Sequence, residues 1–562
     1  MTQPPRIAAE DYLEALAAHG IEHLFVNPGT DFAPIVEAFS RAARTNRPVP
    51  RPMVVPHENA AVGMAHGYTM VTGKPQAVML HTNVGTANAI NMLINASRDR
   101  VPMLLTSGRT PFTEHGAEGS RSAHIQWAQE MFDQAGMLRE LVKWDYEMKR
   151  GDQAASVVDR ALEIVNASPQ GPAYLSLPRE VLGEVMSATA ESNRVHRAVP
   201  RPPEARAGDI DTLADWIAAA KNPLIITGML GKDPRDSVVL SRLAERYALP
   251  VVPYNTRYFA LSADHPMFQG SMPGPLLQDT DLVIVFETDV PWLSSKVSPP
   301  PGARVVQIGE DPLHGRLPMR SFPSDLTLTA TCLSVLDALE AALPKRAAPH
   351  VIARDKRLRE RSRGLHDTWR QEAERAGQAE TISLPWLNYC LREVIDADTK
   401  VISEYSFRQE YCPLHTPGSL FALSSAGGLG WGFPASLGAK LASPRSLVLS
   451  VLGDGAYMFS NPTACHYTAQ MQKLPVLTII HNNSLYGAVR NATLDMYSKG
   501  LAGEADGRLL ADLPAPSFEK IVAAHDGYGE RVERPADLPA ALQRAAAAVR
   551  SSQQALLNVI CK

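Results

Sequence analysis

Short runs of apolar, mostly β-branched residues recur through this chain, and they are apolar at every position rather than at alternate ones. Examples are EHLFV, PQAVML, VPMLLTS and PAYLSLP, then NPLIITG, DLVIVF and ARVVQIG, then SLVLSVLGDG, PVLTIIHNN and ALLNVIC. A strand with one wet face alternates, whereas a strand apolar throughout is covered on both faces, as in a parallel sheet between helices. Longer helical patterns separate the runs, so the sequence predicts an α/β protein of doubly wound, mostly parallel sheets. Two polar, proline-bearing stretches, 195–209 and 343–357, read as surface linkers. They divide the 562 residues into three domains, 1–190, 205–343 and 358–562, of which the first and third are candidates for similar folds.

Apolar residues make up 45% and charged residues 20%, ordinary values for a soluble globular protein with sizeable cores. A formal charge of −4, with no basic block, argues against nucleic acid or an acidic membrane as partner. The five cysteines (Cys332, Cys390, Cys412, Cys465 and Cys561) lie far apart without a CxxC pair, a poor disulfide or zinc framework that suits a reducing compartment. The opening MTQPPRIAAEDYLEALAAHG enters an amphipathic helix without the apolar core of a signal peptide, and no later run is long enough to cross a membrane. The expectation is a cytoplasmic protein.

Parallel sheets place their ligand crevices at the carboxyl ends of the strands. The informative residues follow the strand runs accordingly: VNPGTD, HTNVGTANA, GDGA and HNNSLYG. Asp454 stands between Gly453 and Gly455 where a strand ends and a helix begins. Glycines there let the backbone approach an anion, and amides at a helix start favour negative charge. The aspartate would repel a phosphate unless a divalent cation lay between them. Asn482 and Asn483 end the next strand, and neighbouring strands run about 4.8 Å apart, so both tips reach one ion. A carboxylate, an amide oxygen and a backbone carbonyl are hard donors suited to Mg²⁺ on a diphosphate. A generic tight turn is the plain alternative for Gly-Asp-Gly alone. A nucleotide-binding glycine loop is a second, but no GxGxxG or Walker-type lysine accompanies these strands.

From Gly453 to Asn483, GDGAYMFSNPTACHYTAQMQKLPVLTIIHNN resembles the thiamine-diphosphate motif, which opens with Gly-Asp-Gly and closes with Asn-Asn. SSAGGLGWGFPASLGAKLA, VVPHENAAVGMAHGY, NPGTDFAPI, LHTNVGTANA and LVKWDYEM extend the likeness to nearly the whole chain. They resemble benzoylformate decarboxylase and its relatives in the acetolactate synthase superfamily. The resemblance implies a pyrimidine-binding first domain, a central domain and a diphosphate-binding third domain. It implies thiamine diphosphate and Mg²⁺ as cofactors, leaves FAD in the central domain open, and implies a homodimer or homotetramer with active sites between subunits.

Residue by residue, Glu58 matches the glutamate that hydrogen-bonds the aminopyrimidine and stabilises its imino tautomer. By itself a glutamate at a helix start is a dipole-stabilising residue. Leu429, beside Gly428, matches the apolar residue that props the cofactor bent, where core packing is the plain alternative. Asp454, Asn483 and the Leu485 carbonyl match the metal ligands, and Gly453, Gly455, Ala456, Tyr486 and Gly487 match diphosphate contacts. His81 matches the decarboxylase histidine that moves protons, and Thr30 stands where the decarboxylase carries a substrate-binding serine. The chain departs from that pattern at Trp292, near the place of the decarboxylase's second catalytic histidine. It departs again at Asn491 and Ala492, where bulky aromatics line the phenyl site. His115 lies in a loop where pyruvate decarboxylases carry histidines, although a solvated side chain is the simpler explanation. The implied reaction is decarboxylation of a 2-oxo acid, poorer with benzoylformate than in a dedicated decarboxylase. An acetolactate synthase-like carboligase and a 2-hydroxyacyl-CoA lyase are the alternatives.

Overall fold

The computed structural model describes residues 5–186, 198–344, 348–514 and 516–561. Its strands form three sheets in which every strand pairing is parallel. The first contains β1 (His23–Asn27), β2 (Arg51–Val54), β3 (Gln76–Leu80), β4 (Met103–Arg109), β5 (Asp145–Glu147) and β6 (Ala173–Pro178), in the order β2-β1-β3-β4-β6-β5. The second contains β7 (Pro223–Thr227), β8 (Val251–Pro253), β9 (Leu282–Phe286), β10 (Arg304–Gly309) and β11 (Leu326–Thr329), in the order β11-β10-β9-β7-β8. The third contains β12 (Lys400–Glu404), β13 (Leu420–Ala422), β14 (Val448–Gly453), β15 (Leu477–Asn482), β16 (Tyr528–Val532) and β17 (Ala555–Ile560), in the order β13-β12-β14-β15-β17-β16. Counted from its own first strand, the third sheet repeats the order of the first, as the sequence anticipates.

Burial on both faces holds for the inner strands: every residue of β3, β7 and β9 is buried. It lapses at the edge strands β2 and β11, which each bury one residue, while the edge strand β8 is buried throughout. All five cysteines are free and buried. Among the described residues, no helix is long and apolar enough to cross a membrane.

The chain forms two compact units. The first holds the described residues up to Arg201 with Ser424–Arg445 and Ala456–Pro475, and the second holds the remainder. The first unit is built on the first sheet and gains the Gly432–Ala442 and Pro462–Gln472 helices from late in the sequence. There the Glu58–Thr72 and Gly432–Ala442 helices approach until backbone meets backbone. A Cβ on Gly67 would lie 2.1 Å from the Ala435 carbonyl oxygen, and one on Gly438 would lie 2.0 Å from that of Met64. The second unit carries the second and third sheets.

Of the two predicted linkers, 195–209 begins with three residues outside those described, runs without regular structure to Arg206, and enters the Ala207–Ala219 helix. The second, 343–357, is corrected. Residues 345–347 lie outside the described set, and Pro349 opens a 29-residue helix, Pro349–Gly377. Proline at the first helical position starts a helix rather than breaking one. Arg354 in that helix is 2% exposed, and its guanidinium donates to the carbonyls of Ala220, Tyr247 and Ala248 at 2.6, 2.7 and 2.9 Å. A buried cation held by backbone carbonyls belongs to a packed element, not to a surface linker.

Candidate active site

In the first unit, the tips of β1 and β3 bring Thr30 and His81 into one neighbourhood. β1 ends at Asn27 and leads through Pro28 and Gly29 into the turn Thr30–Phe32, while His81 follows β3 and caps the Thr82–Arg98 helix. His81 Nδ1 meets Asp31 Oδ1 at 2.5 Å, and the Thr82 N–H donates to Asp31 Oδ2 at 3.4 Å. Asp31 is 3% exposed. Two glycines make room for the pair: a Cβ on Gly29 would fall 2.1 Å from His81 Nδ1, and one on Gly108 would fall 1.6 Å from Asp31 Oδ2. The hydrogen bond from Asp31 holds the His81 pKa above its ordinary value, outweighing the opposing effect of burial. On the other side of the ring, Nε2 lies 3.4 Å from Gln129 Nε2. Thr30 is exposed. Sequence reasoning selected Thr30 and His81 and missed Asp31, whose only signal is a carboxylate one residue after the hydroxyl.

Glu58 opens the Glu58–Thr72 helix behind His57, whose Nδ1 accepts the Asn59 N–H at 3.2 Å. The glutamate is buried, and its Oε2 accepts from Asn88 Nδ2 at 3.1 Å. The Thr82–Arg98 helix that carries Asn88 also holds the loop of Leu429. Asn91 Nδ2 donates to the Leu429 carbonyl at 3.0 Å, and Asn95 Nδ2 donates to the Gly428 carbonyl at 2.7 Å. Asn95 Oδ1 in turn accepts the Gly428 N–H at 3.0 Å. Gly428 is buried and Leu429 is half-buried.

In the second unit, Gly453 ends β14 and Asn482 ends the adjacent β15. Asp454 begins the short helix Asp454–Phe459, which continues through Gly455 and Ala456. Its carboxylate is 4% exposed; Oδ1 accepts the Gly455 N–H at 2.7 Å, and among the described residues Oδ2 has no hydrogen-bond partner. Burial raises the Asp454 pKa, and the N–H groups of Gly455, Leu485 and Ser484 offset part of that rise. A buried carboxylate oxygen without a partner is costly, and a cation would satisfy it.

The two asparagines divide the work. Asn482 is fully buried and structural, donating to Asn558 Oδ1 at 2.9 Å and accepting the Ser484 N–H at 3.1 Å. Asn483 is half-buried, and its Oδ1 turns the chain by accepting the Leu485 N–H at 3.1 Å. The Leu485 carbonyl accepts the Gly487 N–H at 2.9 Å, and the Tyr486 ring lies over Gly455. Among the described residues, no three His, Cys, Asp or Glu side chains gather as a metal site. A donor set of one carboxylate, an amide oxygen and a carbonyl instead fits Mg²⁺, which keeps waters and phosphate oxygens in its remaining positions. Nearby Tyr405, just past β12 and bridged to Leu452, has φ 73° and is 58% exposed. A bulky residue in the left-handed region is strained.

Trp292 is 1% exposed, packs with Val283, Val285 and Val305, and meets Phe322 edge-on at 5.2 Å between ring centroids. Its indole fills the covered face of the second sheet. His115 is exposed in the loop after β4. Asn491 and Ala492 lie exposed on the Gly487–Tyr497 helix.

Three family descriptions match the chain. The thiamine pyrophosphate enzyme N-terminal TPP binding domain matches residues 7–137, the central domain 210–339, and the C-terminal TPP binding domain 403–559, together more than half of the sequence. Benzoylformate decarboxylase of Pseudomonas aeruginosa is 28% identical over 571 residues, covering 96% of this chain and 96% of its own. The acetolactate synthase large subunit of Haemophilus influenzae is 24% identical, covering 96% and 91%. In fold, the chain is similar to the thiamine diphosphate-dependent 4-hydroxybenzoylformate decarboxylase of Rhodococcus jostii RHA1, with a TM-score of 0.79, 22% identity and 99% of both chains covered. With both cofactor-binding domains and the central domain present in one chain, the protein belongs to the thiamine pyrophosphate enzymes, in the superfamily of lyases and carboligases that includes benzoylformate decarboxylases and acetolactate synthases.

Proposed function

We propose that the chain decarboxylates a 2-oxo acid without oxidation, using thiamine diphosphate and Mg²⁺. In net terms the bond to the carboxylate breaks, CO₂ leaves, and one proton takes its place on the carbonyl carbon to give an aldehyde. Bound, the cofactor supplies the carbon nucleophile and the electron sink. The observation that carries the proposal is the Asp31–His81 pair beside Thr30. A lyase must deliver a proton to its product, and an imidazole poised by a buried carboxylate is a fitting donor. His81 moves that proton, and the Thr30 hydroxyl binds the substrate carboxylate. Glu58 hydrogen-bonds the aminopyrimidine, and Leu429 with Gly428 props the cofactor. Asp454, Asn483 and the Leu485 carbonyl hold Mg²⁺, while Gly453, Gly455, Ala456, Tyr486 and Gly487 face the diphosphate.

The domain boundaries 1–190, 205–343 and 358–562 and a cytoplasmic location belong to the same proposal. So does a homodimer or homotetramer with active sites between subunits, supported by the exposed apolar side chains Met496, Tyr497, Leu501, Leu509 and Leu510. We place no flavin on the second sheet. At the tips of β7 and β9, Arg257 pairs with Asp289 at 2.9 Å, and Arg320 donates to Gln307 Oε1 at 3.1 Å. The Glu287 carboxylate packs against Gly309. These contacts among the chain's own charged and polar groups support that reading.

The test is CO₂ release and product identity across a panel of 2-oxo acids with both cofactors added. Aldehyde formation, with benzoylformate a poor substrate because Asn491 and Ala492 replace aromatics, is expected. Products in which a second carbonyl compound has been joined, without free aldehyde, would replace the decarboxylase with an acetolactate synthase-like carboligase. Cleavage of a 2-hydroxyacyl-CoA alone would replace both.

A further inference from the structure

The Thr82–Arg98 helix presents Asn88, Asn91 and Asn95, three and four residues apart and so on one face. Each side chain donates to a different group: Asn88 to the Glu58 carboxylate, Asn91 to the Leu429 carbonyl and Asn95 to the Gly428 carbonyl. The geometry points to this amide stripe as the device that fixes the activating carboxylate and the propping leucine against one rigid ruler. Asn88, Asn91 and Asn95 are thus positioning residues acting through Glu58 and Leu429. The inference rests on the roles proposed above for those two residues.

The loop needs such a device. Gly427, Gly428 and Gly430 surround Leu429, and Gly427 and Gly430 have φ of 67° and 87°. Glycine-rich backbone loses much conformational freedom on ordering, so the leucine would wander unless its neighbours were held. The loop is pressed onto the helix: a Cβ on Gly428 would lie 2.8 Å from the Asn91 carbonyl oxygen and 2.8 Å from the Asn95 amide. At Glu58 the logic is electrostatic. A carboxylate accepts from an amide but is repelled by a second carboxylate, so asparagine at 88 holds the acceptor where aspartate would drive it away. Displacement of a catalytic group by about 1 Å costs on the order of 10²-fold, so the stripe should show in the rate of activation.

The test compares Asn88→Asp, Asn91→Asp and Asn91→Ala with the unmodified protein, full-length and loaded with thiamine diphosphate and Mg²⁺. Exchange of the cofactor C2 proton is followed by NMR and cofactor affinity by calorimetry. Aspartate keeps the shape of asparagine but loses the donor. A donor role therefore makes Asn91→Asp at least as harmful as Asn91→Ala, whereas a packing role makes it milder. The expected result is exchange about 10–100-fold slower in both aspartate variants, with cofactor affinity within a few-fold. In a Glu58→Gln background, Asn88→Asp should slow exchange no further, because the two act as one unit. Near-normal exchange in Asn88→Asp and Asn91→Asp, in a protein that Glu58→Gln inactivates, would overturn the stripe. Normal exchange in Glu58→Gln itself would instead overturn the role of Glu58. Should the Asn91 variants fail to fold, the Asn88 comparison decides alone.

Discussion

The first and third sheets run six parallel strands in the same order, yet their carboxyl ends are furnished differently. At the tips of the first sheet, ionisable side chains are held by partners: Asp31 grips His81, and Glu58 accepts from the Asn88 amide. At the tips of the third, the donors are glycine backbone, amide oxygens and one carboxylate with an unpartnered oxygen, Asp454 Oδ2. A site that moves protons needs groups whose charge changes within reach of neutral pH, and mutual contact tunes them. A site that holds an ion needs fixed oxygens whose charge does not change. In the reading proposed above, one frame would serve both, because strand order sets only where the tips lie, while a handful of residues past each strand sets the chemistry.

The deepest cut should fall on the third sheet. Asp454→Ala removes the only anionic ligand of the proposed metal clamp, and calorimetry should find cofactor affinity down by more than about 100-fold, beyond the loss typical of an outer-shell change. Retained affinity would mean that the two sheets do not divide their labour in this way. At the first sheet, Glu58→Gln should leave the cofactor bound while C2 proton exchange falls by about 10²–10⁴. If binding rather than exchange collapsed, Glu58 would belong with the ion-holding side of the comparison.

Asp31→Asn is a smaller and more selective change. It should lower turnover about tenfold while C2 exchange stays normal, because the role proposed for His81 comes after activation. The pH dependence gives an independent check. The folded-state pKa of His81 is raised, so the stability supplied by the Asp31 contact is complete below the ordinary histidine value of about 6.5. It is then lost as pH rises through the folded-state value. The melting temperatures of the unmodified protein and Asp31→Asn should therefore converge toward alkaline pH. A constant gap would show that the contact is not an ionic one.

The smallest effect is expected at Tyr405, on the third sheet. Tyr405→Gly should raise the stability of the cofactor-free protein by about 1 kcal/mol as left-handed strain is relieved, read as a higher melting temperature. No rise would mean that the tyrosine ring returns as much in packing as its backbone costs.

Much of this was legible in the residues. Strands apolar at every position announced parallel sheets with both faces covered, and inner strands such as β3 and β9 obey it. Gly-Asp-Gly and Asn-Asn fall at the ends of adjacent strands, as their place after apolar runs predicts. What escaped depends on contacts between residues distant in the chain. Asp31 matters because β1 and β3 lie side by side and because Gly29 and Gly108 leave space for a carboxylate and an imidazole. Local sequence carries neither fact. Trp292 illustrates the same limit: a conspicuous residue past a strand turns back into the core, and its local sequence does not announce it. Pro349 misled because a proline among polar residues looks alike whether it stops a chain or starts a helix.

The composition of the first unit also bears on how the protein is made. The Glu58–Thr72 helix is among the first elements to leave the ribosome, but its partner Gly432–Ala442 is synthesised hundreds of residues later, and the unit is complete only at Pro475. At about 5–20 residues per second, the delay between Arg201 and Pro475 is roughly 15–55 s. Through that interval the nascent chain displays a glycine- and alanine-rich helix face with no mate, at risk of joining a neighbouring nascent chain. Newly made protein should therefore depend on chaperones that shield an unfinished domain, and a gene fragment ending before residue 424 should yield an aggregating product rather than a trimmed enzyme.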